Sequence, residues 1–446
     1  MNHELRILAA IRRELSDWRL WLARALVIAS AAAAGLVVVA FTWLTERALQ
    51  GFAGLQAAHG WAALVWTPLC TGAIVWLTRR HAPGAAGSGI PQVMAALDAS
   101  VDESRSGLFV SLRLSLAKIV LTAWGLLAGL SLGREGPSVQ ISAGVMHAVR
   151  RWLPERSPVT RHGLLVAGGA AGIAAAFNTP LAGVMFAIEE LSRRPEQRNS
   201  GLLIAGIVLA GLMAVSIYGN STYFGVIHVP EVGAALFWPG LLVALCSGLA
   251  GGLFARLLIV SLGGTGTDRL SRWRAAHPVR FAAGCGLAVA LIGLATAGAT
   301  FGSGYEYTRG MLEGRAEVPA VYLLFKFIAT WLTAWSGVPA GIFAPSLSIG
   351  AALGNDIALL LSYPHAPTLI ALGMAGFLAA ATQAPLTSFI IVMEMVDGHA
   401  MVLSLMACAL VASGVSRLVS RPLYGTLARF QLRRLPATEP PPGERG

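Results

Sequence analysis

Two carboxylates and a set of small-residue turns are the parts of this chain whose types and spacing can do chemistry. Glu135 stands in Gly133-Arg134-Glu135-Gly136-Pro137, between two strongly apolar segments. A carboxylate held at membrane depth is costly, so its default reading is functional. Glu190 follows at the end of a small-residue-rich stretch, beside Glu189. Pro137 and Pro345 both suit the opening turn of a helix. Helix openings carry unsatisfied N–H groups and the positive end of a dipole, which together make an anion site without a buried cation.

The elements that must position these residues are membrane helices. Of 446 residues, 55% are hydrophobic and 12% charged, where a soluble domain carries about a quarter charged residues. Mean hydropathy is +0.66. Apolar segments recur from about Trp21 to Val419, which predicts one polytopic membrane domain and leaves no room for a soluble domain beside it. Many segments are shorter than a spanning helix and broken by Gly or Pro. Such breaks are tolerated where they line a cavity or are buried in protein, which favours a transporter or channel.

The net charge of +11 comes from 31 arginines and two lysines. The arginines fall in short clusters between apolar segments, such as Arg79-Arg80, Arg150-Arg151 and the stretch Arg269 to Arg280, rather than forming a nucleic-acid-binding face. That is the pattern of loops following the positive-inside rule, and it predicts both termini on the cytoplasmic side. Residues 1–19 read as a cytoplasmic or interfacial helix, and the Pro-rich tail from 425 to 446 as disordered. The four cysteines have no metal or disulfide spacing, and no metal or other cofactor is expected.

The two halves align on each other. A shift of 208 pairs the only two lysines, Lys118 and Lys326, and also pairs Gly133 with Gly341 and Pro137 with Pro345. A second block, shifted by 205, pairs Pro180 with Pro385 and Glu189 with Glu394. These matches in register indicate an internal duplication, about 20–200 and 201–424, of the kind inverted in many transporters. Matched positions are expected to serve the fold. Glu135 faces Phe343 across the repeat and Glu190 faces Met395, so the unmatched carboxylates are the functional candidates.

Five motifs now carry a resemblance. They are Gly87-Ser88-Gly89-Ile90-Pro91, the Glu135 motif, Phe177-Asn178-Thr179-Pro180-Leu181-Ala182-Gly183 leading to Glu189-Glu190, Gly341-Ile342-Phe343-Ala344-Pro345, and Arg421-Pro422-Leu423-Tyr424. In this order, over about Trp18 to Tyr424, the chain resembles the CLC family of chloride channels and chloride/proton antiporters. The resemblance implies an all-α fold of about 17–18 short, tilted and broken helices in an inverted repeat, with residues 20–424 forming the membrane domain. It implies chloride held by Ser88, Tyr424 and the backbone N–H groups of Ile342 and Phe343. Glu135 would be the gate and Glu190 the cytoplasmic proton acceptor, so that chloride exchanges for protons; the alternative within the same fold is an uncoupled chloride channel. It further implies a homodimer in a bacterial inner membrane, with chloride, protons and lipid as the only partners and no enzymatic reaction. One departure stands out: Met94 occupies the place of a second acidic residue, with Asp98 one turn later.

Overall fold

The computed structural model describes residues 18–154, 157, 159–192, 200–219, 222–226, 233–264, 266, 268–315, 318–319 and 321–435. Proline, glycine and short capping side chains set where its helices begin and end. Ser111 and Thr160 cap the helices Leu112–Leu127 and Arg161–Phe177, accepting from the N–H groups of Leu114 and Gly163. Asn178 (φ 58°) and Gln383 (φ 61°) end Arg161–Phe177 and Ala366–Thr382 in the left-handed conformation. Pro180 and Pro385 then open the following helices, Pro180–Phe186 and Pro385–Met395. Asn178 and Gln383 are themselves related by the shift of 205, so the duplication recurs in backbone geometry.

Nineteen α-helical segments result among the described residues, with short 3-10 and π turns and no strand. Six are long and apolar enough to cross a membrane, including Trp18–Ala58, the segment Ala234–Gly263 and the segment His399–Val419. Their outward faces carry exposed Leu36, Leu249, Leu291 and Leu403, as a lipid-facing surface requires. The short broken helices lie inside this ring. Arg161–Phe177 and Ala366–Thr382 are buried along almost their whole length. The chain is an all-α, multi-pass membrane protein.

Small residues set the closest approaches. A Cβ added at Gly350 would fall 2.3 Å from the Gly373 carbonyl oxygen, and one at Gly354 2.2 Å from that of Leu369. The helix Phe343–Leu360 is thereby pressed against Ala366–Thr382. In the other repeat Gly168 and Gly172 bring Arg161–Phe177 equally close to Glu135–Ala148, against Ala143 and Ser138. Apolar lipid supplies no hydrophobic drive between helices, so such packing carries the association.

Glu189 and Glu394 cross-link the repeats reciprocally. Glu189 accepts from the backbone N–H of Leu386 (3.0 Å) and Thr387 (2.7 Å), at the start of the Pro385 helix. Glu394 accepts from Leu181 (3.2 Å) and Ala182 (2.7 Å), at the start of the Pro180 helix. Each carboxylate caps the opposite helix, a two-fold arrangement that agrees with a structural role for this matched pair.

Three sequence expectations change. The Arg269 to Arg280 stretch contains the helix Arg269–Ala276, capped by Asp268 accepting from Ser271 N–H at 3.0 Å; a short capped turn is invisible to apolar periodicity. The apolar run from about Leu20 to Leu49 predicts a first span of that extent, whereas the helix runs unbroken from Trp18 to Ala58. The terminal segment stays helical past Tyr424, through Leu423–Leu432, because Gly425, Thr426 and Ala428 are buried against the body. The tail from residue 436 onward and the expected N-terminal helix before Trp18 lie outside the described residues.

Candidate functional site

Gly133 and Gly341 join the two repeats at the centre of the site. Gly133 N–H donates to Gly341 O (2.8 Å) and Gly341 N–H to Gly133 O (3.0 Å), an isolated antiparallel bridge between equivalent residues. Two residues later each segment turns into a helix, Glu135–Ala148 on one side and Phe343–Leu360 on the other. The bridge fixes the two helix starts side by side. Side chains would break this approach: a Cβ at Gly341 would sit 2.7 Å from Gly133 O, and one at Gly133 2.3 Å from the Glu135 carboxylate.

Glu135 is fully buried. Its Oε2 accepts from the backbone N–H of Ala344 at 3.3 Å, so the carboxylate of one repeat occupies the helix start of the other. Its Oε1 is buried without a hydrogen-bond partner among the described residues. Arg134 does not pair with it; the guanidinium turns away to Glu46 (2.9 Å) and to the Tyr223 hydroxyl (3.2 Å). Arg134 therefore forms its ion pair with Glu46 on another helix and not with its neighbour in sequence.

Ser88 and Tyr424 arrive from distant parts of the chain. Ser88 lies in a turn between Gly87 (φ 72°) and Gly89 (φ 110°), conformations that glycine adopts without strain. Its hydroxyl touches the first turn of the Glu135 helix, where a Cβ at Gly136 would lie 2.3 Å from Ser88 Oγ. Tyr424 is buried at the start of Leu423–Leu432, its ring stacked on Phe343 with centroids 6.0 Å apart. Ser88 Oγ and Tyr424 Oη are both buried, and neither has a hydrogen-bond partner among the described residues. Two buried hydroxyls without partners, beside two helix starts, are the donor set a desolvated anion needs.

Phe343 is packed between Phe177, Phe186 and Tyr424, and its helix places the N–H groups of Ile342 and Phe343 at the same start that Glu135 approaches. Glu190 is 8% exposed, within a π-helical turn spanning Ala187–Ser192. Such bulges recur at functional sites. Met94 is half-buried in the helix Ile90–Ala96. Asp98 lies beyond that helix, exposed and bonded to Ser100, so it does not take Met94's place.

Sequence reasoning used the two lysines only as repeat markers. Both are buried, and each Nζ holds a glycine turn: Lys118 donates to Ala85 O and Gly87 O (both 2.7 Å), Lys326 to Thr300 O (3.0 Å) and Gly302 O (2.8 Å). Gly302-Ser303-Gly304 therefore matches Gly87-Ser88-Gly89, with Gly302 and Gly304 also at positive φ. The repeated Gly-Ser-Gly is hidden from a fixed-shift alignment, since its offset of 215 residues departs from the shift of 208 that pairs the lysines.

Comparison with known proteins agrees with this arrangement. The family model described as voltage gated chloride channel matches residues 69–417. The chain is 31% identical over 431 residues to the H(+)/Cl(-) exchange transporter ClcA of Klebsiella pneumoniae subsp. pneumoniae, covering 91% of this chain and 88% of that protein. It is 32% identical to ClcA of Cronobacter sakazakii, over 88% and 86% of the two chains. Among solved structures, a slow cyanobacterial Cl-/H+ antiporter superposes with a TM-score of 0.80 at 25% identity, covering 92% of this chain and 98% of the other. A CLC-type fluoride/proton antiporter superposes at 0.76 and 22% identity, over 92% and 99%. With its five motifs, its bridged repeats and these relatives together, the chain belongs to the CLC family of voltage-gated chloride channels and transporters, and not among enzymes.

Proposed function

We propose that the protein is a chloride/proton antiporter in which Glu135 is the gate and Glu190 the proton acceptor on the cytoplasmic side. The single observation carrying this reading is the Glu135 carboxylate on the Ala344 N–H, at the start of the opposite repeat's helix. An ionised carboxylate and a dehydrated chloride compete for one positive helix end. Protonation removes the charge that holds Glu135 there, the side chain leaves, and chloride takes the vacated N–H groups. One group thus links two opposed fluxes.

Ser88 and Tyr424 donate their hydroxyls to chloride beneath the gate, with the N–H groups of Ile342 and Phe343 completing the shell. Lys118 acts indirectly, pinning the turn that presents Ser88. The relatives named as H(+)/Cl(-) exchange transporters support coupling. In this reading residues 20–424 form the transport domain, as repeats of about 20–200 and 201–424, with both termini in the cytoplasm of a bacterium and the domain in its inner membrane. Two copies assemble through the exposed apolar residues Leu181, Ile188 and Leu386.

The test is coupled flux in proteoliposomes. An imposed chloride gradient is expected to drive protons uphill with wild-type protein. Glu135→Ala and Glu190→Gln should each abolish proton movement while chloride still passes. Chloride flux in the wild type with no proton movement, and a reversal potential at the chloride equilibrium value under every pH gradient, would instead establish an uncoupled channel.

A further inference from the structure

An arginine-lined cleft, separate from the residues of the candidate site, lies where two membrane helices end. A cleft of about 440 Å³ is walled by the last turns of Phe237–Gly263 and Val402–Val419 and by one side of Leu423–Leu432. Five arginines line it, Arg256, Arg417, Arg421, Arg429 and Arg433, and no carboxylate does. None of the five has an ion pair with a carboxylate among the described residues. Ser88, Ile342, Phe343 and Tyr424 are absent from its walls.

Its depth in the membrane follows from helix length. Trp238, 73% exposed, marks one bilayer boundary near the start of its helix. Arg256 is eighteen residues further on, about 27 Å along the axis at 1.5 Å per residue, close to the roughly 30 Å of hydrocarbon. Arg256 therefore reaches the headgroup layer of the opposite face. Leu418, 89% exposed, and exposed Val260 flank the arginines on the lipid side.

Five guanidinium groups around one cavity repel each other unless an anion sits among them. Chloride is too small and too weakly charged to satisfy them, whereas the planar fork of arginine fits phosphate oxygens in pairs. We propose that this cleft binds the phosphate of an anionic phospholipid headgroup, with the acyl chains running down past Leu418 and Val260. Basic pockets at the ends of membrane helices are suited to this chemistry.

Native mass spectrometry of the full-length protein in detergent tests the assignment, with phosphatidylglycerol, phosphatidylcholine and inorganic phosphate as probes. Wild-type protein should retain phosphatidylglycerol at a lipid concentration at least about tenfold below that needed for phosphatidylcholine. The triple variant Arg417→Gln, Arg429→Gln, Arg433→Gln should lose that preference while keeping chloride binding. Millimolar inorganic phosphate should not displace the lipid; displacement would show a site for free phosphate and overturn the lipid assignment. Equal retention of the two lipids by wild-type protein, or unchanged retention by the variant, would also overturn it. Should the variant not accumulate, salt decides on wild-type protein. Retention of phosphatidylglycerol must fall steeply as sodium chloride rises, and salt-insensitive retention sinks the proposal.

Discussion

At the scale of single residues, the site rests on positions where one added carbon matters. Gly136→Ala places a methyl group 2.3 Å from Ser88 Oγ, closer than any contact allows. The serine must move, and chloride affinity measured by calorimetry should fall at least about tenfold, equal to about 1.4 kcal/mol. Lys118→Met is expected to act on the same turn from behind. It leaves the Ala85 and Gly87 carbonyls without their ammonium donor, so chloride binding should weaken although Lys118 touches no ion. A lysine that served only overall stability would lower the unfolding temperature without that loss of affinity. Glu135 stood out in the sequence as a carboxylate between apolar segments, whereas Ser88 and Tyr424 became candidates only through the motifs that carry the family resemblance. The departure of Arg134 to Glu46 was not legible, since the partner lies 88 residues away on another helix.

At the scale of elements, the reciprocal caps and the glycine seams hold the short helices in place. Glu189→Ala and Glu394→Ala each remove a charged acceptor from two backbone N–H groups. Each should destabilise the protein by about 2 kcal/mol, read as a lower unfolding temperature in detergent. Gly350→Ala should cost more, since its methyl group meets the Gly373 backbone carbonyl rather than a flexible side chain. Helix breaks at Asn178-Thr179-Pro180 and before Pro345 were readable from local chemistry. The helix Arg269–Ala276 and the continuation to Leu432 were not. Both are decided by caps or by burial against distant elements, and neither leaves a long apolar period.

For the molecule as a whole, the duplication was the most informative sequence signal. It predicted two facing helix starts, and the Gly133–Gly341 bridge shows those starts joined by paired hydrogen bonds. Alignment of the halves showed that Glu135 faces Phe343, but not which residues of the two halves meet around them. In the proposed site Ser88 and Glu135 come from the first repeat, Phe343 and Tyr424 from the second, so in that reading neither half holds a full set of donors. Each half expressed alone should show no chloride binding by calorimetry, and the two halves co-expressed as separate chains should restore it. Binding by one half alone would mean that the donors are not shared across the repeat.

The Gly133–Gly341 bridge has a consequence for how this protein responds to mutagenesis. It contains no side chain, so a conventional alanine scan cannot cut its two hydrogen bonds. Alanine at either glycine acts by collision instead, and the defect would be misread as a packing fault. Replacing the Gly133 or Gly341 amide by an ester removes one N–H donor while preserving shape. Such backbone editing would reveal a determinant of ion transport that is written in the main chain alone.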